Sequence, residues 1–139
     1  MIQIYTTPSC ASCRKAKKWF DQYKIPYSEK NIFSIKLSKE DIFRILANSE
    51  NGFDDIISTR SKVFKEKKLD PDNMSVQELI EFIIDYPSVL KRPIIINENE
   101  LQVGYNNEDI TIFLPKELRN LDSFSDFDAE PINVKYSKK

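Results

Sequence analysis

The chain reads as an α/β fold, a mixed β-sheet that carries a helical insert and ends in a flexible C-terminal tail. Three observations predict it. The run Ile2-Gln3-Ile4-Tyr5 alternates and is β-branched like a strand, and an amphipathic helical pattern follows over Cys13 to Phe20. A second strand-like run ending at Ile32 completes a β-α-β unit, whose right-handed crossover makes its strands parallel. After a long helical stretch, Ile94-Ile95-Ile96 and Leu101-Gln102-Val103 read as two more strands joined by a tight turn.

Each element has its own signal. Between the first strand and first helix, Thr6-Thr7-Pro8-Ser9 is turn chemistry, so Cys10-Ala11-Ser12-Cys13 straddles a strand-to-helix turn. Ile25-Pro26-Tyr27 through Ile32 forms the second strand. Ser38, with Asp41 three residues on, caps a helix with Ile42, Phe43, Ile45 and Leu46 as its apolar face. Asn51-Gly52 is expected to end that helix, with Gly52 just past its C-terminus at positive φ. Ser75-Val76-Gln77-Glu78 is a second capping box, opening a helix with Leu79, Phe82 and Ile83 on its apolar face and stopped by Pro87. Residues 35–89 thus form the helical insert. Arg92 to Ile96 and Leu101 to Gly104 follow as strands around Asn97-Glu98-Asn99-Glu100, and Asn107 to Leu114 reads as a short final helix. One domain over residues 1–119 accounts for this order. Beyond it, the Asp/Ser/Phe alternation from Asp122 to Asp128 and the ending Lys135-Tyr136-Ser137-Lys138-Lys139 predict a disordered tail over 120–139.

The chain has 2 cysteines, and both sit in Cys10-Ala11-Ser12-Cys13. Residues three apart in a first helical turn hold their Cβ atoms about 5–6 Å apart. A disulfide wants about 3.5–4.5 Å, so a small backbone adjustment closes the bond. The free N–H groups and positive dipole end of the helix favour a thiolate at Cys10, and Arg14, Lys15, Lys17 and Lys18 add positive charge. Cys10 is therefore the attacking thiol and Cys13 the resolving one. The competing readings are two small buried hydrophobes side by side, or half a zinc site. Zinc wants four N/S ligands, and the chain offers 2 cysteines and 0 histidines. No metal and no cofactor is expected.

At 139 residues the chain fits a single core. No basic, apolar leader or long hydrophobic span is seen at its start, so a cytoplasmic protein with no membrane contact is expected, where a CxxC is more often redox-active than structural. With 21 basic and 22 acidic residues, the whole chain offers no case for autonomous nucleic-acid binding. The absence of histidine removes Ser-His-Asp and Cys-His catalysis together.

The segments Tyr5-Thr6-Thr7-Pro8-Ser9-Cys10-Ala11-Ser12-Cys13-Arg14-Lys15-Ala16, Ile57-Ser58-Thr59-Arg60-Ser61, Arg92-Pro93-Ile94-Ile95 and Leu101-Gln102-Val103-Gly104-Tyr105-Asn106 are similar to those of the Spx regulators. These are redox-responsive transcription regulators of low-GC Gram-positive bacteria. The resemblance covers residues 1–119 and implies a thioredoxin-like fold of the arsenate-reductase type. It implies a partner, the C-terminal domain of the RNA polymerase α subunit, bound by a monomer that activates thiol-stress genes and displaces other activators. It also implies turnover by the ClpXP protease, with an adaptor. Carried over by position, Cys10 and Cys13 match the redox pair and Gly52 the glycine of the α-subunit contact surface. Arg60, Lys62 and Arg92 match basic residues around the switch and partner surface. Arg92 precedes Pro93, a proline that is commonly cis in such folds and faces the CxxC. The tail departs from the pattern after Arg119, which leaves the degradation signal open.

Two enzyme readings compete. In an arsenate reductase, Cys10 would attack an oxyanion cradled by Arg14, Arg60 and Arg92, with Cys13 resolving the adduct. The chain carries Tyr105 where similar reductases have a further arginine. Those reductases also lack a second cysteine at position 13. A general disulfide oxidoreductase is disfavoured by Ala11-Ser12, where thioredoxins place Gly-Pro, and by an insert that would obstruct broad substrates.

Overall fold

The computed structural model describes residues 1–115, so the tail expected over 120–139 and any degradation signal in it lie outside the described residues. Four strands, β1 (Ile2–Thr6), β2 (Tyr27–Asn31), β3 (Ile94–Ile96) and β4 (Leu101–Val103), form one mixed sheet of order β2-β1-β3-β4. β1 runs parallel to β2 and antiparallel to β3, and β3 antiparallel to β4.

The two-residue period of the strands divides the core. Ile4 of β1 and Ile95 of β3 face helix α1 (Ala11–Gln22), where they meet Ala16, Phe20, Ile110 and Phe113. Their neighbours Tyr5, Ile94 and Ile96 face the opposite side, against the helices between β2 and β3. Those are α2 (Lys39–Ala47), α3 (Phe53–Ile56), α4 (Lys62–Glu66) and α5 (Val76–Asp85). The apolar side chains of α2 and α5 pack there: Ile42, Ile45, Leu79, Ile80 and Ile83 are each 3% exposed or less.

Local signals fix the ends of these helices. The Ser38/Asp41 and Ser75/Glu78 capping boxes are both closed, each satisfying two N–H groups that a helix start leaves unpaired. The final helical segment, Asp109–Phe113, is a 3-10 turn rather than an α-helix. Two side chains sit differently from expectation: Phe43 is 53% exposed, off the buried face of α2, whereas Phe82 only borders the core. Among the described residues, no helix is long and apolar enough to cross a membrane.

Candidate functional site

The Cys10–Cys13 turn is built by β1 delivering a buried Thr6-Thr7 into the reversal at Pro8-Ser9, where Ser9 adopts φ 61°. Cys10 is not in the helix but is its N-cap, with extended φ −105° and ψ 108°. Its sulfur accepts the Cys13 N–H at 3.1 Å, one of the donors a helix start leaves unsatisfied. Those donors would equally favour a Cys10 thiolate, and no acidic residue occupies the first turn to oppose it. The two sulfurs are bonded, with Cα atoms 5.2 Å apart. Cys13 is 2% exposed while Cys10 opens to a cleft, the asymmetry expected of a resolving and an attacking sulfur.

That cleft, about 580 Å³, is lined by Cys10 on one wall and by Ser58, Arg60, Lys91 and Arg92 on the other. Backbone pairing makes the second wall. Ile57 bridges Leu90 antiparallel, the Ser58 N–H donates to the Val89 carbonyl at 2.8 Å, and the Lys91 N–H donates to the Ile56 carbonyl at 2.8 Å. Segments far apart in sequence are thereby locked side by side, which places Arg60 and Arg92 in the same cleft. The Arg92–Pro93 peptide is cis, and the Gly104 N–H donates to the Pro93 carbonyl at 2.7 Å. Gly104, at φ 81°, also lines the cleft.

Arg92 is half-buried. Its guanidinium donates to the Ser88 carbonyl at 3.3 Å and lies 6.0 Å from the Phe33 ring centroid. Burial pulls its pKa below the usual arginine value, but a guanidinium remains charged at any physiological pH. Arg60, Lys91 and Arg92 are the charged residues of the cleft, and no carboxylate lines it. The structure thus gathers Cys10, Arg60 and Arg92, with Cys13 buried beside Cys10. Arg14, exposed on α1, does not line the cleft. Lys62 stands out on α4 with its side chain 86% exposed and 3.8 Å from Glu66.

Gly52 occupies a different place in its loop from the one expected. Helix α2 stops at Ala47 with Asn48 as C-cap, and Gly52 is the N-cap of α3, at φ 63° and ψ −131°. The positive φ was foreseen but its cause was not. The chain reverses into a new helical turn, stabilised by the Asp55 carboxylate accepting the N–H groups of Glu50 and Asn51, both at 2.9 Å. These bonds, first that from Asn51, hold the Asp55 carboxyl below its usual pKa. The signal missed was the acidic pair Asp54-Asp55, typical of a helix first turn. A groove of about 480 Å³ adjoins this loop, lined among others by Asn48, Glu50, Asp55, Leu101 and Ile112.

Two polar ties steady the sheet beneath the turn. Glu29 of β2 accepts from Thr6 at 2.7 Å and pairs with Lys17 of α1 at 3.0 Å. Tyr5, 1% exposed, shares its hydroxyl proton between Gln3 and Asp41 at 3.2 Å each, and burial followed by the Asp41 charge pushes its pKa up to about 12. Among the described residues, no group of three or more His, Cys, Asp or Glu could hold a metal.

A paired-cysteine turn facing a cis-proline loop on a mixed sheet is the site of an ArsC-type, thioredoxin-like protein. The ArsC family model matches residues 5–113. A solved ArsC family related protein from Bacteroides fragilis superposes with a TM-score of 0.70, at 26% identity over 78% of this chain and 92% of that one. The chain is 51% identical over 119 residues to a global transcriptional regulator, Spx 1, of Bacillus cereus, covering 86% of this chain and 91% of the relative. It is 49% identical over 120 residues to the global transcriptional regulator Spx of Bacillus subtilis, covering 86% and 92%. The chain belongs to the Spx family, the transcription-regulating branch of the ArsC proteins, and is a regulator rather than an enzyme.

Proposed function

We propose that this chain is a thiol-redox switch that acts in the cytoplasm on the transcription machinery by docking on the C-terminal domain of the RNA polymerase α subunit. The observation that carries the reading is the placement of the cysteine pair at the N-cap of α1, opening on a cleft with Arg60, Lys91 and Arg92 and no carboxylate. Oxidants draw electrons from the Cys10 thiolate, and Cys13 completes the disulfide without turnover of a substrate. Closure fixes the first turn of α1 against the cleft wall that carries Arg92, biasing the surface presented to the polymerase. Gly52, on the adjacent insert, belongs to the docking surface, and Arg60, Lys62 and Arg92 to the basic region around switch and partner. DNA contact comes from that small basic region once the polymerase places it at a promoter, in keeping with the chain's net charge of −1.

The test is a thiol-stress promoter transcribed in vitro with purified polymerase, comparing dithiol and disulfide forms. Both forms should bind the isolated α C-terminal domain, the disulfide form should activate more strongly, and Cys10→Ala should bind without responding to oxidant. Equal activation by both forms, or no binding to the α domain, sinks the reading.

A further inference from the structure

We propose that the cleft beside Cys10 receives small thiols that carry a carboxylate, and that such a thiol opens the Cys10–Cys13 disulfide through a mixed disulfide on Cys10. The inference rests on the reading of the cysteine pair as a reversible switch, and names the class of reductant that resets it.

Access decides which sulfur is attacked. Cys13 is 2% exposed in the first turn of α1, whereas Cys10 is partly exposed and lines the cleft. The incoming thiolate bonds to the Cys10 sulfur as the Cys10–Cys13 bond breaks, and Cys13 leaves with the electron pair and takes up a proton. A second thiol then attacks the small thiol's sulfur in the mixed disulfide and releases Cys10 as a thiolate. Two small thiols are thereby oxidised to one small disulfide, and the protein disulfide is reduced to two thiols.

Charge decides which thiols enter. Arg60, Lys91 and Arg92 line the cleft, no Asp or Glu does, and none of the three makes an ion pair among the described residues. Lys91 acts on Asp55 only at longer range. Arg60 and Lys91 are exposed, and Arg92 donates through one nitrogen to the Ser88 carbonyl at 3.3 Å. A guanidinium has five N–H donors in a fork that matches a carboxylate, so Arg92 keeps donors for a ligand. A cleft walled by cations with low-dielectric surroundings concentrates anions next to the sulfur.

Size points to a small molecule. The cleft, about 580 Å³, lies within the range of about 300–1,000 Å³ usual for small-ligand sites. Arg60 and Ser61 of the insert form part of its wall, which hinders a broad protein substrate but leaves room for a molecule of that size.

The test reduces the oxidised full chain with 3-mercaptopropionate, 2-mercaptoethanol and cysteamine, which are anionic, neutral and cationic near neutral pH. Free protein thiols are scored by alkylation and mass. Dividing each rate by the rate on the urea-unfolded chain removes the thiol's own pKa and nucleophilicity. The quotient should be about tenfold higher for mercaptopropionate than for mercaptoethanol, and lower again for cysteamine, as charge focusing in a cleft gives. Salt at about 1 M, where the screening length falls to about 3 Å, should erase this order. Arg60→Gln combined with Lys91→Gln should erase it too. Lys24→Gln, which removes an exposed charge just past the far end of α1, should keep it. As a second readout, Cys13→Ala should form the mixed disulfide at Cys10 faster with the disulfide of mercaptopropionate than with that of cysteamine. An order that is absent, reversed or retained by the double variant overturns the proposal, as does an equal loss in Lys24→Gln or equal rates in Cys13→Ala. Neither readout involves the polymerase, so a promoter that ignores the redox state beside an intact charge order fails the switch reading alone.

Discussion

Gly52 offers the sharpest separation between a structural and a recognition role, because the two substitutions that test it share one backbone cost. At φ 63° and ψ −131° the residue sits where essentially glycine alone is at ease, and a side chain held there costs about 1–3 kcal/mol. A Cβ built at Gly52 meets no heavy atom within 4 Å, so alanine adds no clash inside the molecule and the side chain of an arginine starts into open space. Both Gly52→Ala and Gly52→Arg should therefore lower Tm by a similar amount, about 4–12 °C for a domain of this size. Both should stay folded, since domains keep about 5–15 kcal/mol in hand. The open space is also where an approaching partner backbone would lie. Titration calorimetry against the purified α C-terminal domain should find Gly52→Ala binding within about tenfold of the parent. Gly52→Arg should lose at least about a hundredfold, close to 2.8 kcal/mol. If the two variants melt alike and also bind alike, Gly52 only turns the chain into α3 and the docking face lies elsewhere.

Two further outcomes follow from the site and its supports. Arsenate with glutathione, glutaredoxin or thioredoxin as reductant should give no turnover approaching about 1 per second, the lower end of ordinary enzyme rates, in a coupled NADPH assay; Arg14 stands outside the cleft and Tyr105 is turned into the α1 cluster, so the oxyanion cradle is short of donors. Tyr5→Phe should flatten the alkaline limb of stability: the parent hydroxyl, neutral in the fold up to about 12 but ionising near 10 when unfolded, stabilises below pH 10 and loses that contribution as pH rises toward 12. Urea midpoints across that window should fall more steeply for the parent than for the variant, and parallel curves would refute the assignment.

The strands, α1 and both capping boxes were legible because each depends on local chemistry: period-two alternation, a turn at Pro8-Ser9, and serines placed three residues before Asp41 and Glu78. The placement of Arg60 and Arg92 in one cleft was not, because it depends on the bridge between Ile57 and Leu90, a contact no local pattern encodes. Helices α3 and α4 were missed as separate elements for a related reason. At 4 and 5 residues they are too short to show a helical period, and tertiary contacts of Ile56, Val63 and Phe64 hold them. Phe43 was misjudged because periodicity marks a hydrophobic stripe without saying how much of it the neighbouring helix covers; α5 covers Ile42 and Ile45 and leaves Phe43 to solvent. Cys10 is the reverse case, where the motif was plain but the N-cap conformation that points its sulfur at the Cys13 N–H needed the structure.

On the proposed reading, the cysteine pair and Gly52 must communicate, and the fold offers one short route between them. Cys10 and Arg92 share the cleft. The segment leading into Arg92 is hydrogen-bonded to residues 56–58, at the C-terminal end of α3. Helix α3 begins at Gly52, with the Asp55 carboxylate tying its first turn to Glu50 and Asn51. Because these ties are backbone hydrogen bonds around buried Ile56 and Leu90, a shift of Arg92 would carry α3 with it as a unit rather than dissipate in side chains. Such coupling ordinarily amounts to about 1–3 kcal/mol, enough to bias docking but not to abolish it. A regulator that must find polymerase in either redox state and act differently in each needs a coupling of that size. A single-cysteine turn in a reductase needs none, since its chemistry ends where the oxyanion is bound.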